Sequence, residues 1–198
     1  MNRYFDSQFN KHIVTIYPGE FHCGGGEEYI STVLGSCISV ALYDRAIQFG
    51  GLNHFMLAYD QTSSKENDAL AGRFGEYAME LLINTMFKHG AQKKHLTAKV
   101  FGGSNVLGTN ENSKTPLVGA ANIKFVFDYL EREQIPVISS NTGGDRPRKI
   151  FYDPKTSKIW LKHIRKTVRE EEFLKKKESE YVHKVQEKKE HAGDIVWF

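Results

Sequence analysis

Ile30-Ser31-Thr32-Val33-Leu34-Gly35-Ser36-Cys37-Ile38-Ser39-Val40-Ala41-Leu42-Tyr43 is an uncharged, β-branched run interrupted once, at Gly35-Ser36. Such a run predicts two buried strands joined by a tight bend. Counted from Tyr29, the uncharged stretch is fifteen residues long and is broken by Gly35, Ser36 and Ser39. A membrane-spanning helix needs roughly 18 apolar residues, so the segment belongs to a core and not to a bilayer. Working outward, His12 to Tyr17 is a strand that stops at Pro18-Gly19. Ile47 to Leu57 is another, with Gly50-Gly51 marking a bulge or a close backbone approach. Tyr59 to Asp68 is polar and predicts a surface loop. Phe74, Tyr77, Ala78, Leu81, Leu82 and Met86 follow the spacing of one buried helix face, with Asp68 as cap and Gly90 as stop. Leu96 to Phe101 is a strand running into Gly102-Gly103, and a second helix carries Ile123, Val126, Phe127 and Leu130. A buried strand at Ile135 to Ile138 precedes Gly143-Gly144. Ile150 to Tyr152 and Ile159 to Ile164 form a hairpin across Asp153-Pro154. The expected fold class is α/β (α+β), a mixed β-sheet layered with helices.

The 198 residues are enough for one domain that closes its core without metal or disulfide staples. A net charge of +3, from 27 basic and 24 acidic residues, gives no footprint for nucleic acid. The N-terminal Met1-Asn2-Arg3-Tyr4-Phe5-Asp6 has no apolar export signal, so the expected location is cytoplasmic, without membrane insertion. Charge divides the chain near Ile164: half of residues 165–198 are charged, against about a fifth before it. We therefore expect a folded domain over 1–164 and an exposed, helical tail over 165–198, supported by Glu171/Lys175, Glu172/Lys176 and Glu180/Lys184 pairs. The tail ends in the apolar Ile195-Val196-Trp197-Phe198.

Cys23 and Cys37 are the only cysteines, too few for a disulfide scaffold and without a C-x-x-C pair for zinc. Cys37 follows the Gly35-Ser36 bend. Such a bend lifts a side chain from the sheet and directs backbone N–H groups at one spot, where they lower a thiol pKa or hold an oxyanion. A thiolate nucleophile needs a base, and His54 lies in the following strand. A hydroxyl from Ser31 or Thr32 can orient the imidazole; as strand neighbours they point to opposite faces, so only one reaches it. The bland reading is a packed cysteine and a satisfied core histidine. Cys23, in His22-Cys23-Gly24-Gly25-Gly26, is expected in a glycine loop near the site entrance, as a spectator.

Ser31 to Val40, Gly50-Gly51-Leu52-Asn53-His54-Phe55-Met56-Leu57, Lys99-Val100-Phe101-Gly102-Gly103-Ser104-Asn105 and Asn141-Thr142-Gly143-Gly144-Asp145-Arg146-Pro147-Arg148-Lys149 together resemble the CheD family of chemoreceptor glutamine deamidases. The resemblance runs in order from about Ile13 to Ile164. It implies a mixed sheet layered with helices, similar to bacterial toxin glutamine deamidases. It also implies a Cys nucleophile with a His base seventeen residues on, as Cys37 and His54 are. The family's third position is a threonine shortly before the cysteine; here Ser31 and Thr32 both stand there. The implied chemistry is hydrolysis of a receptor glutamine carboxamide through a thioester, with no metal and no cofactor. Methyl-accepting chemoreceptors are the implied substrate and a CheC-type phosphatase the implied partner. The other class of reading is a non-catalytic adaptor that binds receptor or phosphatase.

Ser36, Asn53, Gly102, Gly103, Ser104 and Asn105 are expected around the substrate amide. The Phe101-Gly102-Gly103 loop lacks the spacing and the G-K-[ST] ending of a phosphate loop. Gly143-Gly144 with Arg146 and Arg148 predicts a turn with solvated arginines.

Overall fold

The computed structural model describes residues 1–57, 65–105 and 118–164, together with Lys176 and Glu180. In chain order the elements begin with strands β1 (Asn2–Asp6), β2 (Lys11–Thr15), β3 (Phe21–Gly24), β4 (Glu28–Leu34), β5 (Ile38–Asp44) and β6 (Phe49–Asn53). Then come α1 (Lys65–Lys88), β7 (Leu96–Gly102), α2 (Val118–Arg132), β8 (Val137–Thr142), β9 (Arg148–Tyr152) and β10 (Ile159–His163).

The break at Gly35–Cys37 does more than turn the chain. It moves it from one sheet to another. The described strands form two mixed sheets, ordered β1-β2-β4-β9-β10 and β3-β6-β5-β7-β8, where the sequence pattern predicts one. β4 lies parallel to β2 and antiparallel to β9 in the first; β5 lies antiparallel to β6 and β7 in the second. Strand alternation dictates the layers. On β5, Ile38, Val40 and Leu42 join Met79, Leu82, Ile83 and Met86 of α1 and Val126, Tyr129 and Leu130 of α2 in one core. Cys37 and Ala41 face the other way, into a second core with Val14, Ile16, Ile30, Leu34, Ile150 and Tyr152 of the first sheet. The order of layers is therefore sheet, sheet, helices. The α+β class holds.

Several local expectations shift. α1 begins at Lys65, so Asp68 lies inside the helix, and only residues 59–64 of the expected loop remain, outside the described residues. The buried face of α1 is Gly75, Met79, Leu82, Ile83 and Met86, and Tyr77 is exposed. Gly75 sets this rotation by admitting the ring of Phe125: a Cβ there would lie 2.4 Å from Phe125 Cε1. The strand expected to be buried at Ile135 to Ile138 is the edge strand β8, and Ile138 is exposed because nothing described pairs beyond it. His22 to Gly24 belong to β3, paired with Leu52 to Gly50 of β6, not to a loop. The tail 165–198 lies outside the described residues except for Lys176 and Glu180, both helical.

Candidate active site

His54 follows β6 and is held at three points. Its N–H donates to the Glu20 carbonyl at 2.9 Å, and its carbonyl accepts the Gly19 N–H at 2.7 Å. Gly19 sits in the left-handed region, with φ of 83°, so the turn after Pro18 is a glycine position. The imidazole Nδ1 lies 2.7 Å from Thr32 Oγ1, and that hydroxyl donates to the Ile16 carbonyl at 2.9 Å. A hydroxyl has one proton. Thr32 gives its proton to a carbonyl, which can only accept, so the Thr32–His54 bond requires the proton on His54 Nδ1. The Nε2 lone pair is then free, and Nε2 is buried without a hydrogen-bond partner. Burial lowers the His54 pKa to about 3, against an opposing pull from the Ile16 carbonyl, so the ring is neutral.

Cys37 and His54 share the inter-sheet face. Ile38 and Phe55 form a bridge, which sets Cys37 opposite Met56 and leaves His54 two residues along, on the diagonal. Diagonal neighbours on one face have Cα atoms about 7–8 Å apart, within reach of an imidazole. The bend does not project the thiol to solvent: Cys37 is 1% exposed and His54 3%. The three carbonyls of the bend are all bound. Gly35 accepts from the Ser104 N–H at 2.7 Å, and Cys37 from the Gly103 N–H at 2.8 Å. Ser36 accepts from Asn122 Nδ2 at 2.8 Å. Gly102 has φ of 111°, and a Cβ there would lie 2.1 Å from the Cys37 oxygen. Only glycine allows β7 to end against the bend.

Of the two hydroxyls, Thr32 meets the imidazole. Ser31 faces the other side of β4, where its Oγ lies 3.5 Å from Thr15 Oγ1. Ser36, Gly102 and Gly103 surround Cys37, with Ser36 Oγ 3.7 Å from Met56 Sδ. Ser104 reaches the bend through its N–H only; its hydroxyl donates to the Arg146 carbonyl and accepts from Arg148, both at 2.8 Å. Asn105 donates its N–H to Gly144. Asn53 is not brought to the thiol. Its side chain lies on the helix side of β6, with Oδ1 accepting the Val40 N–H at 2.8 Å and Nδ2 near Ala78 and Met79 of α1. Arg148 is buried, not solvated, and its guanidinium binds Asn141, Gly143 and Ser104. It braces the two glycine loops beside the bend.

Sequence reasoning missed Ile16 and Asn122, and took Arg148 for a solvated residue. A backbone carbonyl carries no sequence signal. Asn122 did have one, an amide on the apolar stripe of α2. Among the described residues, no group of three or more His, Cys, Asp or Glu could hold a metal ion. None of their helices is long and apolar enough to cross a membrane.

Residues 56–163 match the family model described as CheD, chemotactic sensory transduction. A probable chemoreceptor glutamine deamidase CheD 1 of Shewanella oneidensis is 42% identical over 182 residues, covering 91% of this chain and 85% of that protein. A probable chemoreceptor glutamine deamidase CheD of Vibrio vulnificus is 34% identical over 203 residues, covering 100% and 92%. Its namesake in a Janthinobacterium species is 36% identical over 197 residues, covering 100% and 94%. With its bend, its neutral imidazole and its glycine loops in place, the chain belongs to the CheD family.

Proposed function

We propose that this protein is a chemoreceptor glutamine deamidase of chemotaxis, acting in the cytoplasm, with Cys37 as nucleophile, His54 as general acid and base, and Thr32 as the group that fixes the imidazole. The observation that carries the reading is the Ile16–Thr32–His54 relay, which leaves a buried Nε2 lone pair on the face that Cys37 shares. In this mechanism Nε2 takes the thiol proton as Sγ bonds to the carboxamide carbon of a receptor glutamine. A neutral ring that resists protonation accepts a proton only as negative charge develops beside it, so proton transfer and attack are coupled. The imidazolium then protonates the departing nitrogen, ammonia leaves, and a thioester remains. Nε2 next takes a proton from water, hydroxide adds to the thioester, and the C–S bond breaks. The thiolate recovers its proton from the imidazolium, and the glutamate product ionises. Cys37 supplies the nucleophile and His54 carries each proton transfer up to product release, so the scheme calls for no cofactor and no metal.

The reading places the deamidase domain at 1–164 and treats 165–198 as an appended charged tail, with a CheC-type phosphatase as partner. Ser36, Gly102 and Gly103, beside the nucleophile, are its substrate contacts; Ser31, Asn53, Ser104 and Asn105 act at one remove, through the scaffold. The test is mass spectrometry of a receptor fragment incubated with the protein. The expected result is glutamine converted to glutamate with release of ammonia. An unchanged fragment, with the protein folded and several receptors tried, rejects the proposal.

A further inference from the structure

The β5/β6 ladder is broken in a regular way. Ala41 faces Leu52 and Ile38 faces Phe55, so one register runs through both pairs. The same register sets Val40 opposite Asn53 and Ser36 opposite Leu57. Ile38 and Phe55 exchange both backbone bonds, at 2.8 and 2.9 Å. In an antiparallel ladder every second pair does so, which makes Val40/Asn53 and Ser36/Leu57 the next hydrogen-bonded pairs. At the first, a side-chain carboxamide replaces only the acceptor; at the second, a carboxamide stands in for the whole peptide. The Val40 N–H donates to Asn53 Oδ1, and the Asn53 carbonyl accepts the Ser39 hydroxyl. At the other end the Leu57 N–H donates to Asn122 Oδ1 at 2.9 Å, and Asn122 Nδ2 donates to the Ser36 carbonyl at 2.8 Å. A carboxamide offers the same donor and acceptor as a peptide unit. Asn122 is thus a surrogate peptide inserted from α2, and it widens the gap between the strands by one hydrogen-bonded layer.

The ladder is wedged by Asn122 on one side of a single intact bridge and exchanges one backbone acceptor for the Asn53 side chain on the other, and Cys37 and His54 are borne by the segment between. Asn122 is fully buried on a helix face shared with Val126 and Leu130, where packing alone favours an apolar side chain. Its helix starts hard against the site: a Cβ on Gly119 would lie 2.6 Å from the Gly103 oxygen. We propose that Asn122, with Asn53 as its counterpart, is a positioning residue that sets the spacing of the two strands and so the reach of His54 Nε2 to the reacting thiol. The inference rests on the Cys37–His54 reading above.

Asn122→Asp and Asn122→Leu test it. A protonated carboxyl keeps one donor and one acceptor in the shape of the amide, whereas a carboxylate loses the donor and faces the Ser36 carbonyl. The expected result for Asn122→Asp is a kcat at least about tenfold lower at pH 8, with KM within about twofold, and a ratio to wild type that recovers severalfold by pH 6. Asn122→Leu should show the loss without recovery. Folding is checked by circular dichroism. In parallel, iodoacetamide labelling of Cys37, followed by peptide mass, reads the site without substrate and should change by about tenfold in Asn122→Leu. Wild-type protein that releases no ammonia overturns the catalytic reading, while the labelling still tests the wedge. Folded variants with kcat and labelling within about twofold of wild type overturn the wedge, and so does failure of both variants to fold, which would leave Asn122 a structural brace.

Discussion

The two cysteines lie on opposite sides of the second sheet, and the proposed chemistry uses only one. Cys23 is in the regular stretch of β3, opposite Gly51, with its side chain packed toward α1: a Cβ on Gly51 would stand 2.6 Å from its Sγ and 2.7 Å from Leu82. Burial pushes its thiol pKa up to about 12. Cys37 lies where the chain changes sheets, where the ladder is wedged open and where an imidazole with a free lone pair shares its face. Both have adjacent or nearby glycines; Cys37 is buried and Cys23 half-buried. What separates them is regularity: an unbroken ladder spends its polar groups on itself, whereas an interrupted one leaves a base that can accept a proton.

The strongest way to break this contrast is to remove each thiol. Cys37→Ala should lower deamidation by about a thousandfold or more, and Cys23→Ala should leave it within about twofold, in an ammonia-release assay. Equal losses would erase the distinction. Labelling of Cys23 sharpens it: with its pKa near 12, it should react with iodoacetamide at pH 8 some two to three orders of magnitude more slowly than a free thiol of pKa about 8.5. Next comes the relay. Thr32→Val should cost roughly 1.4 to 3 kcal/mol of transition-state stabilisation, about 10- to 100-fold in kcat, because nothing then fixes the tautomer. Ser31→Ala, on the other face of β4, should stay near wild type, and a reversed order would place the wrong hydroxyl at the ring. The last effect is on stability, and it grows with acidity. His54 is neutral when folded, with a pKa of about 3 against an ordinary value near 6.5, so the unfolded chain binds more protons between these limits. Stability from this group is complete above about pH 6.5 and is lost as pH falls, by at most about 1.4 kcal/mol per unit, until about pH 3. Denaturation curves at pH 6, 5 and 4 should show a shallower decline for His54→Gln than for wild type.

Local pattern carried much of this fold. The runs around Val14, Ile30, Ile38 and Val100 are strands because β-branched residues recur there, and Gly35 marks the bend because no bulky residue breaks the run elsewhere. That β4 and β5 part into different sheets is not written between them. It depends on β9, more than a hundred residues later, pairing with β4 in place of β5. Residues 2–6 carry too little apolar pattern to announce β1, which forms because β2 offers an edge. The candidate site divides in the same way. Cys37 and His54 stood out as residue types beside glycines, and the hydroxyl was narrowed to two neighbours. The choice between them needed the identity of the inner face of β4, a property of sheet docking. Asn122 reaches the site from a helix 86 positions from the carbonyl it binds, and only its polarity on a buried stripe hints at it.

The strand order of the first sheet also sets a clock. Thr32, Cys37 and His54 all emerge within the first 57 residues of synthesis, but β4 is closed on its second side only by β9. At roughly 5–20 residues per second, the ribosome needs about 5 to 20 s to travel from Leu57 to Tyr152. Throughout that interval the nascent chain owns a thiol and an imidazole without the scaffold that aligns them. Such long-range pairing also folds slowly once complete. Competence for the proposed deamidation therefore arrives late and all at once, as a property of the finished polypeptide, and a chain cut short before β9 should leave the ribosome without it.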